Sequence, residues 1–149
     1  AARRQSAWLG AELALAAGQP QQALDLVERH PAPQLRPAVL LHAQAQLALQ
    51  RPALASERLQ TWVTTHPQDA QAWQWLAQAW QAQNQPLRAL RAQAEAQVAI
   101  RDFSAAQDRL KAAQDLARRG GNQDHIEASI IDTRLRAVTE LLREEARKQ

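Results

Sequence analysis

The chain of 149 residues has no cysteine, no tyrosine, a single phenylalanine and only four glycines. Without cysteine there is no disulfide framework and no thiolate for nucleophilic or metal chemistry. Oxidising and reducing compartments both remain open. The glycines form no phosphate-cradling loop, and no aromatic platform offers bases a stacking surface. No apolar run approaches the roughly eighteen residues of a membrane span. The opening Ala1-Ala2-Arg3-Arg4-Gln5 lacks the apolar stretch of a signal peptide and leads directly into helix, as an excised domain would. Val, Ile and Thr are sparse, and no stretch alternates in the manner of a strand.

Charge excess is also small. Eighteen basic and fifteen acidic residues leave a net charge of +3, and the sequence pI of about 10.5 reflects sixteen arginines rather than a large positive surplus. Basic and acidic residues are interspersed, so no basic stripe points to nucleic acid. His30, His42, His66 and His125 include no pair at three- or four-residue spacing, and the chain has no His-Glu-x-x-His motif. His30 and His66, each before a proline, are expected at helix C-termini, and His42 is expected to pack inside the fold. Ser6, Ser56, Ser104 and Ser129 lack a Gly-x-Ser-x-Gly elbow and an evident base. No catalytic constellation, resident cofactor or metal ligand set emerges, so the chain is expected not to be an enzyme by itself.

What is abundant is Ala, Leu, Gln and Arg, all strong helix formers. An all-α fold follows, on a chain long enough to bury a real core as one domain. Ala11, Ala43 and Ala77 each stand twelve residues before a second alanine, Ala23, Ala55 and Ala89. The pairs are separated by steps of 32 and 34 residues, and Ala94 with Ala106 repeats the pair 17 residues further on. Small residues at this spacing, on a period near 34, signify stacked helix–turn–helix units whose helices approach closely where they cross.

Residues Ala70 to Ala96 carry the pattern most fully. Trp73, Leu76, Ala77, Trp80, Ala89 and Ala96 occupy positions 4, 7, 8, 11, 20 and 27 of the tetratricopeptide repeat, which this segment resembles. Asn84-Gln85-Pro86 forms the turn, with Pro86 in the first turn of the second helix, where its missing N–H costs nothing. Arg36 to Pro67 fits with Val39, Ala43, Ala55 and Leu59, although His42 and Trp62 depart from the usual apolar and small residues. The first unit has Gly10, Ala11, Ala23 and Val27 and is followed by Pro31, Pro33 and Pro37. Repeats are therefore expected at about 4–31, 36–67, 70–100 and 87–118 within one domain, 1–149. The last two share the helix from about Pro86 to Ile100. A capping helix at 123–147 is expected to use Ile126, Ile130, Ile131, Leu135, Val138, Leu141 and Leu142 as one apolar face. The expected architecture is a right-handed superhelix of about eight antiparallel helices.

In such repeats, positions 2, 5, 9 and 12 of each first helix line a concave groove. Here they are Gln5, Trp8, Glu12 and Leu15; then Pro37, Leu40, Gln44 and Leu47; then Gln71, Gln74, Gln78 and Gln81; then Arg88, Arg91, Glu95 and Val98. The four glutamines share one helix face and offer donors and acceptors together, which suits an extended peptide backbone and equally suits solvent. Trp8 is the best single candidate for a partner anchor; Trp73 and Trp80 are expected in the core. The pattern is not a carboxylate clamp, although Arg88 and Arg91 could pair with an acidic group.

From about Ala72 to Leu142 the resemblance narrows. The stretch AWQWLAQAWQAQNQPLRALRAQAEAQVAIRDFSAAQDRLKAAQDLAR, a Gly-rich break and SIIDTRLRAVTELL are similar to the tetratricopeptide domain of BepA-type periplasmic metalloproteases of Gram-negative bacteria. The turn at Arg101-Asp102-Phe103 and the Asp132-x-Arg134-Leu135 spacing carry the match. The resemblance implies a zinc-dependent protease domain with His-Glu-x-x-His N-terminal to this segment. It also implies a periplasmic location, and a role for the repeats in contacting outer-membrane proteins and their assembly machinery. Zinc would belong to that protease domain, and no catalytic or metal residue transfers to these positions. The alternative is a generic adaptor, possible in the cytoplasm, that scaffolds a complex unrelated to proteolysis.

Overall fold

A computed structural model describes residues 2–120 and 124–149, with side chains from residue 8 onward. The described residues form eight helices and no strand. They are α1 (Ala2–Ala16), α2 (Pro20–Glu28), α3 (Arg36–Ala48), α4 (Pro52–Thr65), α5 (Ala70–Ala82), α6 (Pro86–Ala99), α7 (Phe103–Arg119) and α8 (His125–Arg147). The all-α expectation holds, with helix starts and turns close to those read from the sequence. Gln123, the expected first residue of the capping helix, lies outside the described residues.

Helix boundaries follow from two local devices. Pro20 and Pro86 open α2 and α6 at positions that need no N–H, and neither helix has a side-chain N-cap bond. Asp69, Asp102 and Asp124 instead cap α5, α7 and α8, accepting from the N–H of Ala72, Ala105 and Glu127 at 3.2, 3.0 and 3.0 Å.

Helix ends carry a second repeat in the backbone. Gly18, Gln50, Asn84 and Arg101 all adopt left-handed φ values of 73°, 61°, 56° and 63°. After each, an N–H reaches back five residues to a helix carbonyl: Gln19 to Ala14, Arg51 to Gln46, Gln85 to Trp80 and Asp102 to Gln97, at 2.8–3.0 Å. This bond closes the last turn and satisfies a carbonyl the helix leaves open. The four positions are separated by 32, 34 and 17 residues, the same steps as the alanine pairs. Helix α6 thus begins with proline, as second helices do, and ends in a left-handed turn, as first helices do.

Contacts divide the chain into two compact units, Ala1–Thr65 and His66–Gln149. In the first, α1 packs on α2, α2 on α3 and α3 on α4, and α1 also touches α3. Its core joins Ala11, Ala23, Leu24, Val27, Ala38 and Leu41, with Trp8, Leu15 and Leu49 around the edge. After α2 the proline-rich link is held by the Arg58 guanidinium, which donates to the Pro33 carbonyl. In the second unit, α5 packs on α6, α6 on α7 and α7 on α8, and α6 also touches α8. Leu87, Ala94, Phe103, Ala106, Leu110, Ala113, Ile131 and Val138 form a core there.

All eight paired alanines are buried, none more than 4% exposed. Helix α6 buries residues on more than one side, Leu87, Ala89, Ala92, Ala94 and Ala96, as a helix packed on α5, α7 and α8 must. The expected apolar face of α8 needs correction. Ile131 and Val138 are fully buried, whereas Ile126 is 78% and Ile130 37% exposed. The buried arc runs through Glu127, Ile131, Leu135, Val138 and Leu142, at steps of three and four. Ile126 and Ile130 each precede a member of that arc by one residue, about 100° round the helix.

A left-handed φ costs a non-glycine residue about 1–2 kcal/mol, while glycine adds unfolded-state entropy of about 0.5–1 kcal/mol. Gln50 is exposed, so Gln50→Gly is expected to stabilise the chain by about 0.5–1 kcal/mol. Urea unfolding followed by circular dichroism measures this, and an unchanged or lower midpoint contradicts it.

Candidate functional site

The clearest exposed polar feature lies on α5. Gln71, Gln74, Gln78 and Gln81 are all exposed, while Ala72, Trp73, Leu76, Ala77 and Ala79 on the remaining arc are buried. At about 100° per residue the four glutamines fall within roughly 80° of arc. Behind them the helix is firmly seated. Trp73 is 6% exposed, and its indole Nε1 donates to the Pro67 carbonyl at 2.9 Å. Trp80 is half-buried beneath the Arg88 guanidinium, whose carbon lies 5.0 Å from the ring centroid. The face is therefore rigid, polar and turned outward.

The repeat register extends the groove to α6 through Arg88, Arg91 and Glu95, but in the structure α8 already faces these side chains. Arg88 pairs with Asp124 at 3.5 Å, and the Arg91 guanidinium bonds the Glu127 carboxylate. Glu95 accepts from Arg134 Nε and Nη2 at 3.0 and 2.8 Å. Both Arg91 and Glu127 are largely withdrawn from solvent, at 16% and 5% side-chain exposure. The acidic group that Arg88 and Arg91 find is thus the chain's own last helix. Of these three positions only Arg88 keeps substantial exposure, at 40% of its side chain. Along α6 the charges read plus, plus, minus; along α8 they read minus, minus, plus. Because Asp124, Glu127 and Arg134 follow the order of Arg88, Arg91 and Glu95, the two helices run in the same direction.

In the first unit the groove positions behave differently again. Glu12 is exposed and Gln44 half-buried, whereas Leu40 is 5% exposed and belongs to the interior. The side chain of Gln5 lies outside the described residues. Trp8 is half-buried and stacks on the His30 imidazole, with centroids 4.0 Å apart and planes at 30°. Its ring thus packs on His30 and against the edge of the first unit's core. His30 sits just beyond the end of α2, and its Nδ1 accepts from the Ala32 N–H at 3.1 Å. The ring thereby orders the turn that follows α2. His66 is exposed, as is His125.

His42 packs within its unit, as its register implies. Burial lowers its pKa from 6.5 to about 4, and the Arg58 charge pushes in the same direction. Glu28 lies close enough to Arg58 to offset part of that guanidinium's own desolvation. Gln46 approaches His42 Nε2 at 3.4 Å, and His42 Nδ1 is buried with no hydrogen-bond partner among the described residues.

No group of three or more His, Asp or Glu side chains among the described residues is placed to hold a metal ion. No helix among the described residues is long and apolar enough to cross a membrane.

Two expectations follow from these buried groups. Glu127→Ala leaves Arg91 charged and without its carboxylate, and should cost about 3–5 kcal/mol in urea unfolding. Arg91→Met with Glu127→Leu should recover most of that loss; equal stability of Glu127→Ala and wild type contradicts the assignment. For His42, the folded chain binds the proton only near pH 4, whereas the unfolded chain binds it near 6.5. The unfolded state therefore holds more protons between these values. Stability tied to neutral His42 is complete above pH 6.5 and is lost as pH falls toward 4. His42→Leu should flatten that part of the pH–stability curve, and an unaltered curve contradicts it.

Comparison with protein-family models finds no match to this chain, and comparison with curated proteins finds none either.

Proposed function

We propose that this chain is a non-catalytic protein-binding module of the tetratricopeptide type. Its α5 face receives extended polypeptide segments and presents them to a zinc-dependent protease domain in the same protein. By the sequence resemblance, the setting is the periplasm and the clients are outer-membrane proteins or parts of their assembly machinery. Catalysis, and the zinc that supports it, belong to the protease domain.

The observation that supports this reading is the glutamine row. Four primary amides in one line, each a donor and an acceptor, match the needs of a peptide backbone, which offers both along its length. The helix beneath is fixed by Trp73 and by apolar burial, so little ordering cost falls on the binder's side. Such a face binds main chain in preference to particular side chains, which suits clients of varied sequence. The row also stays exposed where Arg91 and Glu95, further along the expected groove, are covered by α8. An adaptor in an unrelated assembly would present the same row. The sequence upstream of Ala1 discriminates the two: a signal peptide with a His-Glu-x-x-His motif supports the protease setting, and their absence removes it.

Gln74→Ala combined with Gln78→Ala removes two amides from an exposed surface, so helicity should be unchanged. Two lost hydrogen bonds correspond to a drop of about tenfold or more in client affinity. A photo-crosslinker at Gln81 in the full-length protein, within its native envelope, reads this as reduced attachment of envelope proteins. Equal capture by wild type and the double variant would sink the assignment of this face.

A further inference from the structure

Of the four left-handed turn positions, Gly18 is the ordinary choice and Arg101 the least expected. Arg101 holds its long side chain at a φ of 63°, a conformation that disfavours any residue with a Cβ. Arg101 is exposed, and its guanidinium carbon lies 5.3 Å from the Phe103 ring centroid. It stands on the rim of a cleft of about 370 Å³ whose apolar walls include Val98, Phe103 and Leu141. Glu95 and Arg134 also line this cleft, but they neutralise one another through two hydrogen bonds. Asp102, the adjacent carboxylate, is turned onto the N–H of Ala105. Among the described residues no carboxylate pairs with Arg101, so the cleft couples apolar walls to one uncompensated positive charge.

We propose that this cleft is a subsite for an acidic side chain flanked by an apolar residue in an extended segment. The apolar side chain enters against Val98, Phe103 and Leu141, and the carboxylate meets Arg101. The proposal rests on the peptide-binding reading above and adds a sequence preference to it. A polypeptide C-terminus is the poorer occupant, because terminal carboxylates are generally held by converging backbone N–H groups. Here those groups are spent: Arg101 N donates to Val98 O and Asp102 N to Gln97 O, both at 2.9 Å. Phe103 holds the guanidinium near the rim, which reduces the freedom lost on pairing.

The test uses the full chain and dye-labelled, C-terminally amidated octapeptides with a central Leu-Glu, Leu-Gln or Ala-Glu, followed by fluorescence anisotropy. Wild type is expected to bind Leu-Glu more tightly than either of the others. Arg101→Gly should weaken Leu-Glu binding about three- to fivefold, the scale of one partly exposed ion pair, while unfolding at higher urea than wild type. Arg101→Lys should keep most of the affinity. Gln50→Gly is the control at an equivalent turn, expected to gain stability and keep affinity. Equal binding of Leu-Glu by Arg101→Gly and wild type overturns the proposal, as does equal binding of Leu-Glu and Leu-Gln by wild type. Leu-Glu binding that survives Arg101→Gly but falls with Gln74→Ala and Gln78→Ala removes this cleft and leaves the proposed function standing. Failure of wild type to bind any of the peptides overturns both.

Discussion

Two helices joined by a short turn can approach only as closely as the side chains at their crossing allow, and that limit governs this chain. With alanine at the crossing, the backbones come near enough for the larger side chains on either side to interdigitate. Each of the eight paired alanines is buried in this way. Extra methylenes at such a point force off-rotamer side chains or backbone shifts, at a typical cost of about 1–3 kcal/mol. The short turns obey the same constraint. A left-handed residue followed by a helix that begins with proline or an aspartate cap reverses the chain within three residues, keeping consecutive crossings in register.

Helix α6 carries two such crossings, which has consequences for the charges around it. A helix packed on α5, α7 and α8 has few directions left for polar side chains. Arg91 and Glu95 consequently point where α8 supplies opposite charges, and the ion pairs become part of the packing. Buried pairs of this kind add little net stability compared with apolar residues of the same size, but leaving one partner without the other is costly. Displacing α8 along α6 so that Arg134 met Arg91, or Glu127 met Glu95, would oppose like charges. The alternation of sign thus selects one alignment of the last helix.

Much of this was legible in the sequence because it is local. The alanine spacing locates the crossings, and Asn84-Gln85-Pro86 and Arg101-Asp102-Phe103 locate two of the turns. Trp73 and Leu76 fall in the core as their positions imply, and the α5 glutamines are exposed as a single row. What was not legible depends on distant partners. Periodicity assigns Arg91 to a face of α6, but it does not say that Glu127, far along the chain, covers that face. Trp8 sits at a groove position, yet its ring is claimed by His30 from the end of the next helix. The seven apolar residues of α8 span about half the helix circumference, more than one interface needs. Only tertiary packing decides that Ile131 goes in and Ile130 stays out. The complementary signs on α6 and α8 were present to be read, but they acquire meaning only once the two helices are known to be neighbours.

Sharing one helix between two hairpins also limits how this chain can be lengthened or shortened. A repeat array ordinarily grows by duplication of a whole block, because each block owns both of its helices. From Pro86 to Ala99 that ownership is double. Deleting residues 87–118 would strip α5 of its hairpin partner as well as removing α7, and copying the same block would supply two claimants for one crossing. The stretch from α5 through α7 is therefore one structural block rather than two separable hairpins.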